Sequence, residues 1–174
     1  MLEYIPSMID IGISSLKVEG RMRSIYYVAT VINTYRRAID DYYDNKLTED
    51  KIKYYLKVLN RVANRDSCDQ FFNRFPDVRE QYFLGREEIS NQDYLGIVNS
   101  YDGEYVTLTQ KNYFKSGDVV EFISPDRETF EFVIPEIYDI DGNILDCARH
   151  PEQIIRFKMS NKVFEYDMMR IKIK

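Results

Sequence analysis

Along the chain the spacing of apolar positions changes once, from helical to alternating. Within residues 3–10, Ile5, Met8 and Ile9 fall at helix-like intervals, and Gly12 is a natural stop. Residues 13–18 read as a short strand-like segment that Gly20 ends. Ser24 can cap a second helix whose stripe is Val28, Val31, Ile32, Tyr35, Ile39 and Tyr42, with Asn45 as terminator. Thr48 can cap a third, with Glu49 and Asp50 in the first turn where the helix dipole favours acids. Its stripe is Ile52, Tyr55, Leu56, Leu59 and Val62.

Residues 64–90 lose this periodicity but keep Phe71, Phe72 and Phe75, so they read as an ordered connector. From residue 93 the period becomes two. Expected strands are 94–101, 104–110, 118–123, 129–138, 153–159 and 163–173. Asp102-Gly103, Ser116-Gly117, Pro125-Asp126 and Asp141-Gly142-Asn143 supply the turns. Such spacing suits a small antiparallel barrel or sandwich, and a closed barrel leaves few edges. The segment 13–18 poses a problem, because one strand between helices has no ladder partner. It is either irregular here or the last strand of a sheet whose other strands are missing.

Composition narrows the class. The 174 residues are 44% apolar and 30% charged, which describes a folded globular chain and excludes bulk disorder. Apolar runs are strand-sized, so no membrane contact is expected, and the N-terminus lacks signal-peptide features. Cys68 and Cys147 cannot make a disulfide framework and are too few for a metal site, so no metal is expected and a reduced, cytoplasmic setting fits. There are 15 Tyr and 10 Phe without Trp, which favours strands and partly wet packing. Charge is uneven: residues 1–65 hold 11 Lys+Arg against 8 Asp+Glu, and the remainder 13 against 21. Phosphate binding needs clustered positive charge, so the acidic C-terminal part is a poor stand-alone nucleic-acid binder.

The run Ser15-Leu16-Lys17-Val18-Glu19-Gly20-Arg21-Met22-Arg23-Ser24, with Tyr27-Val28-Ala29-Thr30-Val31 and Tyr35-Arg36, resembles the collagenase-like peptidase family U32. So do Tyr94-Leu95-Gly96, Lys115-Ser116-Gly117-Asp118, Ala148-Arg149-His150-Pro151-Glu152-Gln153 and Met168-Met169-Arg170. The family-motif residues are therefore Ser15, Lys17, Glu19, Gly20, Arg21, His150 and Pro151. The resemblance implies an α+β chain. Residues 1–65 would be helices from the end of a truncated (β/α) barrel, 66–90 a connector, and 91–174 a small antiparallel β-barrel similar to elongation-factor domain 2. It implies that the chain is a C-terminal piece lacking most of a catalytic barrel.

Activities in the family are mixed. The resemblance implies a peptidase, with a tRNA or rRNA base hydroxylation factor as the alternative; a protein- or RNA-binding module is a further alternative, by analogy with the elongation-factor barrel alone. The substrate is then a peptide or an RNA, and the β-barrel contacts a substrate or a protein partner and performs no chemistry. Relatives hold an iron–sulfur cluster through four cysteines of the barrel region. The missing barrel could therefore hold such a cluster; none is expected in this chain, and Cys68 and Cys147 do not match those positions. At Arg65-Asp66-Ser67-Cys68-Asp69-Gln70-Phe71 a Gln stands where many members have Gly, which removes easy access to positive φ.

Among candidate residues, Lys17, Glu19 and Arg21 alternate, so a strand would place them on one face at the C-terminal end where barrel active sites form. Arg21 could grip a carboxylate or phosphate through its planar fork. The competing reading is a Glu–Arg brace. Cys68 lies among acids, which disfavours a thiolate, and pairing with the lone His150 needs the fold to join distant segments. Asp118 reads as a turn cap, and Lys51, Lys53, Lys57 and Arg61 as a solvated helix face with RNA contact the alternative.

Overall fold

The computed structural model describes residues 1–62, 69, 71–78 and 93–172. The chain divides into two compact units, Met1–Ser90 and Asn91–Lys174.

In the first unit a 3₁₀ turn, Leu2–Tyr4, runs into helix α1, Ile5–Asp10. The amides of Gly12 and Ile13 bond back to the carbonyls of Ile9 and Met8 at 2.9 and 3.0 Å and end it. Helix α2, Ile25–Tyr43, starts where Ser24 Oγ accepts the Tyr27 N–H at 3.1 Å. It ends before Asn45, whose φ is +56°. Helix α3, Glu49–Val62, starts where Thr48 Oγ1 accepts the Lys51 N–H at 3.3 Å. Leu2, Ala38 and Tyr55 form the shared core, with Tyr35, Leu47, Ile52, Leu56 and Leu59 against it.

The α2 stripe differs from the expected one. Tyr26, Thr30, Val31, Thr34 and Ala38 are buried, whereas Ile32 is 50% exposed. A threonine can enter a helix interface by bonding its own backbone. Thr34 Oγ1 donates to the Thr30 carbonyl at 2.7 Å, so hydropathy alone misplaces the face. Segment 13–18 takes the irregular form, one of the two expected: it joins no strand ladder among the described residues and is largely exposed. A strand is stable only with a ladder neighbour.

At the α2–α3 junction Asp41 accepts Lys51 Nζ and the Tyr55 hydroxyl, each at 2.6 Å. Burial pushes the Asp41 carboxyl up, but the bonds from Lys51 and Tyr55 outweigh it and hold the group below the usual carboxylate range. Burial, then the bond to Asp41, pushes the Tyr55 hydroxyl well above its ordinary value. The depressed acid stabilises the fold above the unfolded Asp value of about 4, and that contribution is lost as pH falls through the lower native value. The raised phenol stabilises below about 10 and is lost as pH rises beyond it. Asp41→Asn is therefore expected to melt below wild type at pH 7, with the gap closing below about pH 4. Circular-dichroism melts from about pH 3 to about pH 10, roughly the span between the ordinary Asp and Tyr values, test this, and a pH-independent gap refutes it.

Among the described residues the second unit has ten strands. They are β1 Tyr94–Tyr101, β2 Tyr105–Gln110, β3 Phe114–Lys115, β4 Val119–Ile123 and β5 Phe130–Val133, then β6 Ile137–Asp139, β7 Ile144–Leu145, β8 Cys147–Ala148, β9 Ile154–Lys158 and β10 Met168–Ile171. Eight form one antiparallel sheet in the order β5-β4-β10-β1-β2-β9-β6-β7, and β3 pairs with β8. The sheet curls strongly. Phe132 of β5 and Phe157 of β9 stack with centroids 6.0 Å apart. Five strand spacings separate those strands, about 24 Å in a flat sheet. One core lies inside the curl, with Leu95, Leu108, Phe122, Ile137, Phe157 and Met169 among its buried residues. The order is thus α+β as expected. The barrel takes the form of a curled sheet whose end strands, β5 and β7, do not pair with each other among the described residues.

Several boundaries follow from tertiary demands. The expected strand 129–138 is two strands, split around Pro135 and sent to different regions of the sheet. The run 163–173 pairs only over Met168–Ile171, after Tyr166 takes φ +71°. Gly96 is required where β1 and β2 close up, since a Cβ there would lie 2.6 Å from Leu108 Cδ1 and 3.1 Å from the Thr109 carbonyl oxygen. Glu121 and Arg170, cross-strand partners on β4 and β10, point away from the core. They are nevertheless buried, with Arg170 Nε and Nη2 each 2.8 Å from Glu121 Oε2.

Candidate functional site

The family-like segment in the first unit is an exposed stretch folded against the start of α2. A Cβ on Gly20 would lie 2.6 Å from Val28 Cγ2, so only glycine allows this approach. The Arg23 amide bonds the Gly20 carbonyl at 3.0 Å, and the Arg23 guanidinium lies 5.2 Å from the centre of the Tyr27 ring. Ser15, Lys17, Glu19 and Arg21 are all exposed. Glu19 Oε1 accepts the Arg21 backbone N–H at 3.0 Å, closing a local turn. The pair is thus joined through Arg21's backbone, and Arg21's side chain projects from the surface. Ile11, Met22 and Ile25 around the segment are 75%, 90% and 75% exposed.

In the second unit His150 and Pro151 sit in an exposed turn before β9. The His150 carbonyl accepts the Gln153 N–H at 3.0 Å, and Glu152 takes φ +68°. Cys68 lies outside the described residues. Cys147 is buried, and its Sγ accepts Arg149 Nε and Nη2 at 3.2 and 3.0 Å; Arg149 also pairs with Asp146. Asp118 caps its turn by accepting the Lys115 N–H at 2.9 Å. Lys51 is tied to Asp41, and Lys53 lies 3.7 Å from Asp50. Among the described residues no three His, Cys, Asp or Glu side chains group as metal ligands. A four-thiolate iron–sulfur cluster does not fit a chain with 2 cysteines, one of them buried beneath an arginine.

A second surface was missed by the sequence reading. The outward positions of β2 are Tyr105, Thr107 and Thr109, since Val106 and Leu108 face the core. Across the ladders Lys158 stands opposite Tyr105, Arg156 opposite Thr107, and Tyr138 opposite Arg156. The Arg156 and Lys158 charges lie 5.1 and 5.5 Å from the Tyr105 ring centre. Tyr138 meets Tyr105 edge-on at 6.3 Å. Arg156 also reaches Asp102 at 3.0 Å and Lys158 reaches Glu104 at 2.9 Å, both carboxylates belonging to the β1–β2 turn. Asn99 and Thr109 exchange two hydrogen bonds at 2.9 and 3.1 Å beside this group. Alternation in residues 104–110 was legible, but the register that brings β9 and β6 beside it was not.

Comparison with known proteins gives two family matches. The model for peptidase family U32 matches residues 1–82, and the model for the peptidase family U32 C-terminal domain matches residues 90–170. The chain is 46% identical over 172 residues to tRNA hydroxylation protein P1 of Bacillus subtilis (strain 168), covering 98% of this chain and 41% of that protein. It is 27% identical over 149 residues to tRNA hydroxylation protein P of Escherichia coli (strain K12), covering 84% of this chain and 32% of that protein. It is 32% identical over 87 residues to a Porphyromonas gingivalis protein called collagenase, covering 49% and 24%. The chain therefore spans less than half the length of each.

Proposed function

Since the chain belongs to peptidase family U32, we propose that it forms the C-terminal part of a tRNA hydroxylation protein, its β unit serving recognition and not catalysis. The observation that carries this is the 46% identity to protein P1 across 98% of the chain. In this reading residues 13–21 complete a (β/α) barrel supplied by further chain, which buries Ile11, Met22 and Ile25. Glu19 and Arg21 then border the pocket, with Arg21 gripping an anionic group of the substrate. A tRNA substrate places the protein in the cytoplasm. Among the described residues no helix is long and apolar enough to cross a membrane.

The test is a chimera in which this chain replaces the matching stretch of protein P1, expressed in cells lacking that protein. Mass spectrometry of nucleosides from purified tRNA is expected to show hydroxylation restored, and Arg21→Ala is expected to reduce it without lowering protein abundance. A chimera that accumulates yet restores nothing refutes the reading.

The family name and the collagenase match over 49% of the chain support a second reading, peptide hydrolysis. Gelatin cleavage by the purified chimera, insensitive to inhibitors of contaminating proteases and unaccompanied by tRNA hydroxylation, would put it first.

A further inference from the structure

We propose that the outer face of β2, β9 and β6 is a tRNA-contacting surface, with Arg156 and Lys158 meeting the phosphate backbone and Tyr138 stacking on an unpaired base. This rests on the tRNA reading above and assigns it a place on the molecule.

The charge distribution sets this face apart. Residues 91–174 carry 10 Lys+Arg against 15 Asp+Glu. Of the outward positions of β2, β9 and β6, Tyr105, Thr107, Thr109, Arg156, Lys158, Ile154 and Tyr138, two are cations and none is a carboxylate, with Glu136 at the rim beside Tyr138. The carboxylates that meet those cations, Asp102 and Glu104, lie in or beside the turn, and the pairs are exposed, with Lys158 and Glu104 at 60% and 65%. Exposed pairs of this kind are weak, so a phosphate can take the place of either acid.

Geometry supports the division of labour. The Tyr105 ring holds both cations above the sheet, which lowers the entropy lost when they engage a backbone. Tyr138 stands at the neighbouring position with its ring against the edge of Tyr105 and its hydroxyl bonded to Glu136. A sheet that displays an aromatic ring beside cations suits unpaired RNA, because every base has a stackable face and each phosphate a charge. A basic protein partner would instead meet two like charges here.

The chimera described above is titrated with unfractionated tRNA over a series of salt concentrations, reading fluorescence anisotropy. Arg156→Gln with Lys158→Gln is expected to weaken binding about tenfold and to make the salt dependence shallower by roughly one to two units of log–log slope. Tyr138→Ala is expected to weaken binding about fivefold with the slope unchanged, and Tyr138→Phe to bind as wild type, since stacking needs the ring alone. Lys111→Gln with Lys172→Gln, cations elsewhere on the unit, is expected to change nothing. Melting curves confirm that each variant is folded, and the single glutamine variants replace the double one if it does not fold.

Wild-type affinity and slope in the Arg156/Lys158 variants overturn the proposal, as does equal loss in the Lys111/Lys172 variant. So does hydroxylation lost on mutating the face with tRNA affinity intact, which marks a protein-binding or structural role. If the unmutated chimera restores hydroxylation but the face variants bind normally, the tRNA reading survives and this surface does not. If the chimera restores no hydroxylation but the variants lose tRNA affinity as stated, the surface survives and the hydroxylation reading does not.

Discussion

Arg170→Ala is expected to lower the melting temperature of the second unit by roughly 15–25 °C, reflecting a loss of about 3–5 kcal/mol. Glu121 is 4% exposed, and its Oε2 takes two nitrogens of Arg170 at 2.8 Å. Removing the guanidinium strands a carboxylate where water cannot solvate it, and that penalty exceeds what the intact pair contributes. The companion variant, Arg170→Met with Glu121→Leu, removes both charges and fills similar volume, so it should recover most of the loss. Thermal melts of the full chain, followed by circular dichroism, read both outcomes. A shift of only a few degrees for Arg170→Ala, or a double variant no better than the single, would show that the pair is not held dry as the burial implies.

How much of this could be read beforehand depends on whether the determining contact is local. Ser24 and Thr48 cap their helices as expected because a cap involves only the next three residues. The strand over Tyr94–Tyr101 was bounded correctly because alternation and the Asp102-Gly103 turn both lie within it or beside it. Asp102 Oδ1 there accepts the Glu104 and Tyr105 amides at 3.0 and 2.7 Å. The breaks at Pro135 and Tyr166 were not legible, since each is set by which distant strand the chain must reach next. The same holds for β3 and β8, a ladder of two residues each, too short to carry a period. In the first unit, Thr34 faces inward with its hydroxyl bonded to the Thr30 carbonyl, a backbone hydrogen-bonding reason that a hydropathy stripe does not encode. The motif Lys17–Arg21 was legible as a motif, but its alternation predicted a strand that has no partner among the described residues. The surface around Tyr105 escaped because its members are 53 residues apart in sequence at the extreme, Tyr105 to Lys158, and meet only through register.

Phe157→Ala is the second large effect expected, and it bears on the curl itself. Phe157 is fully buried on β9, opposite Val106 and Ile137 on the neighbouring strands. Truncating a phenylalanine in such a site costs about 3–5 kcal/mol, because the cavity adds to the lost transfer energy. For a unit of this size that is roughly 15–25 °C in melting temperature. Phe132→Ala on β5, a partly buried position, should cost less. The informative quantity is their coupling. Were the sheet flat, the two sites would be about 24 Å apart and their effects would add within about 0.5 kcal/mol. In the curled sheet the rings stack at 6.0 Å, so the double variant should lose less than the sum of the singles by about 0.5–1.5 kcal/mol. Denaturant unfolding of the four proteins in the cycle measures this. Strict additivity would mean that β5 does not close over β9 in solution, and the single enclosed core would have to be redrawn.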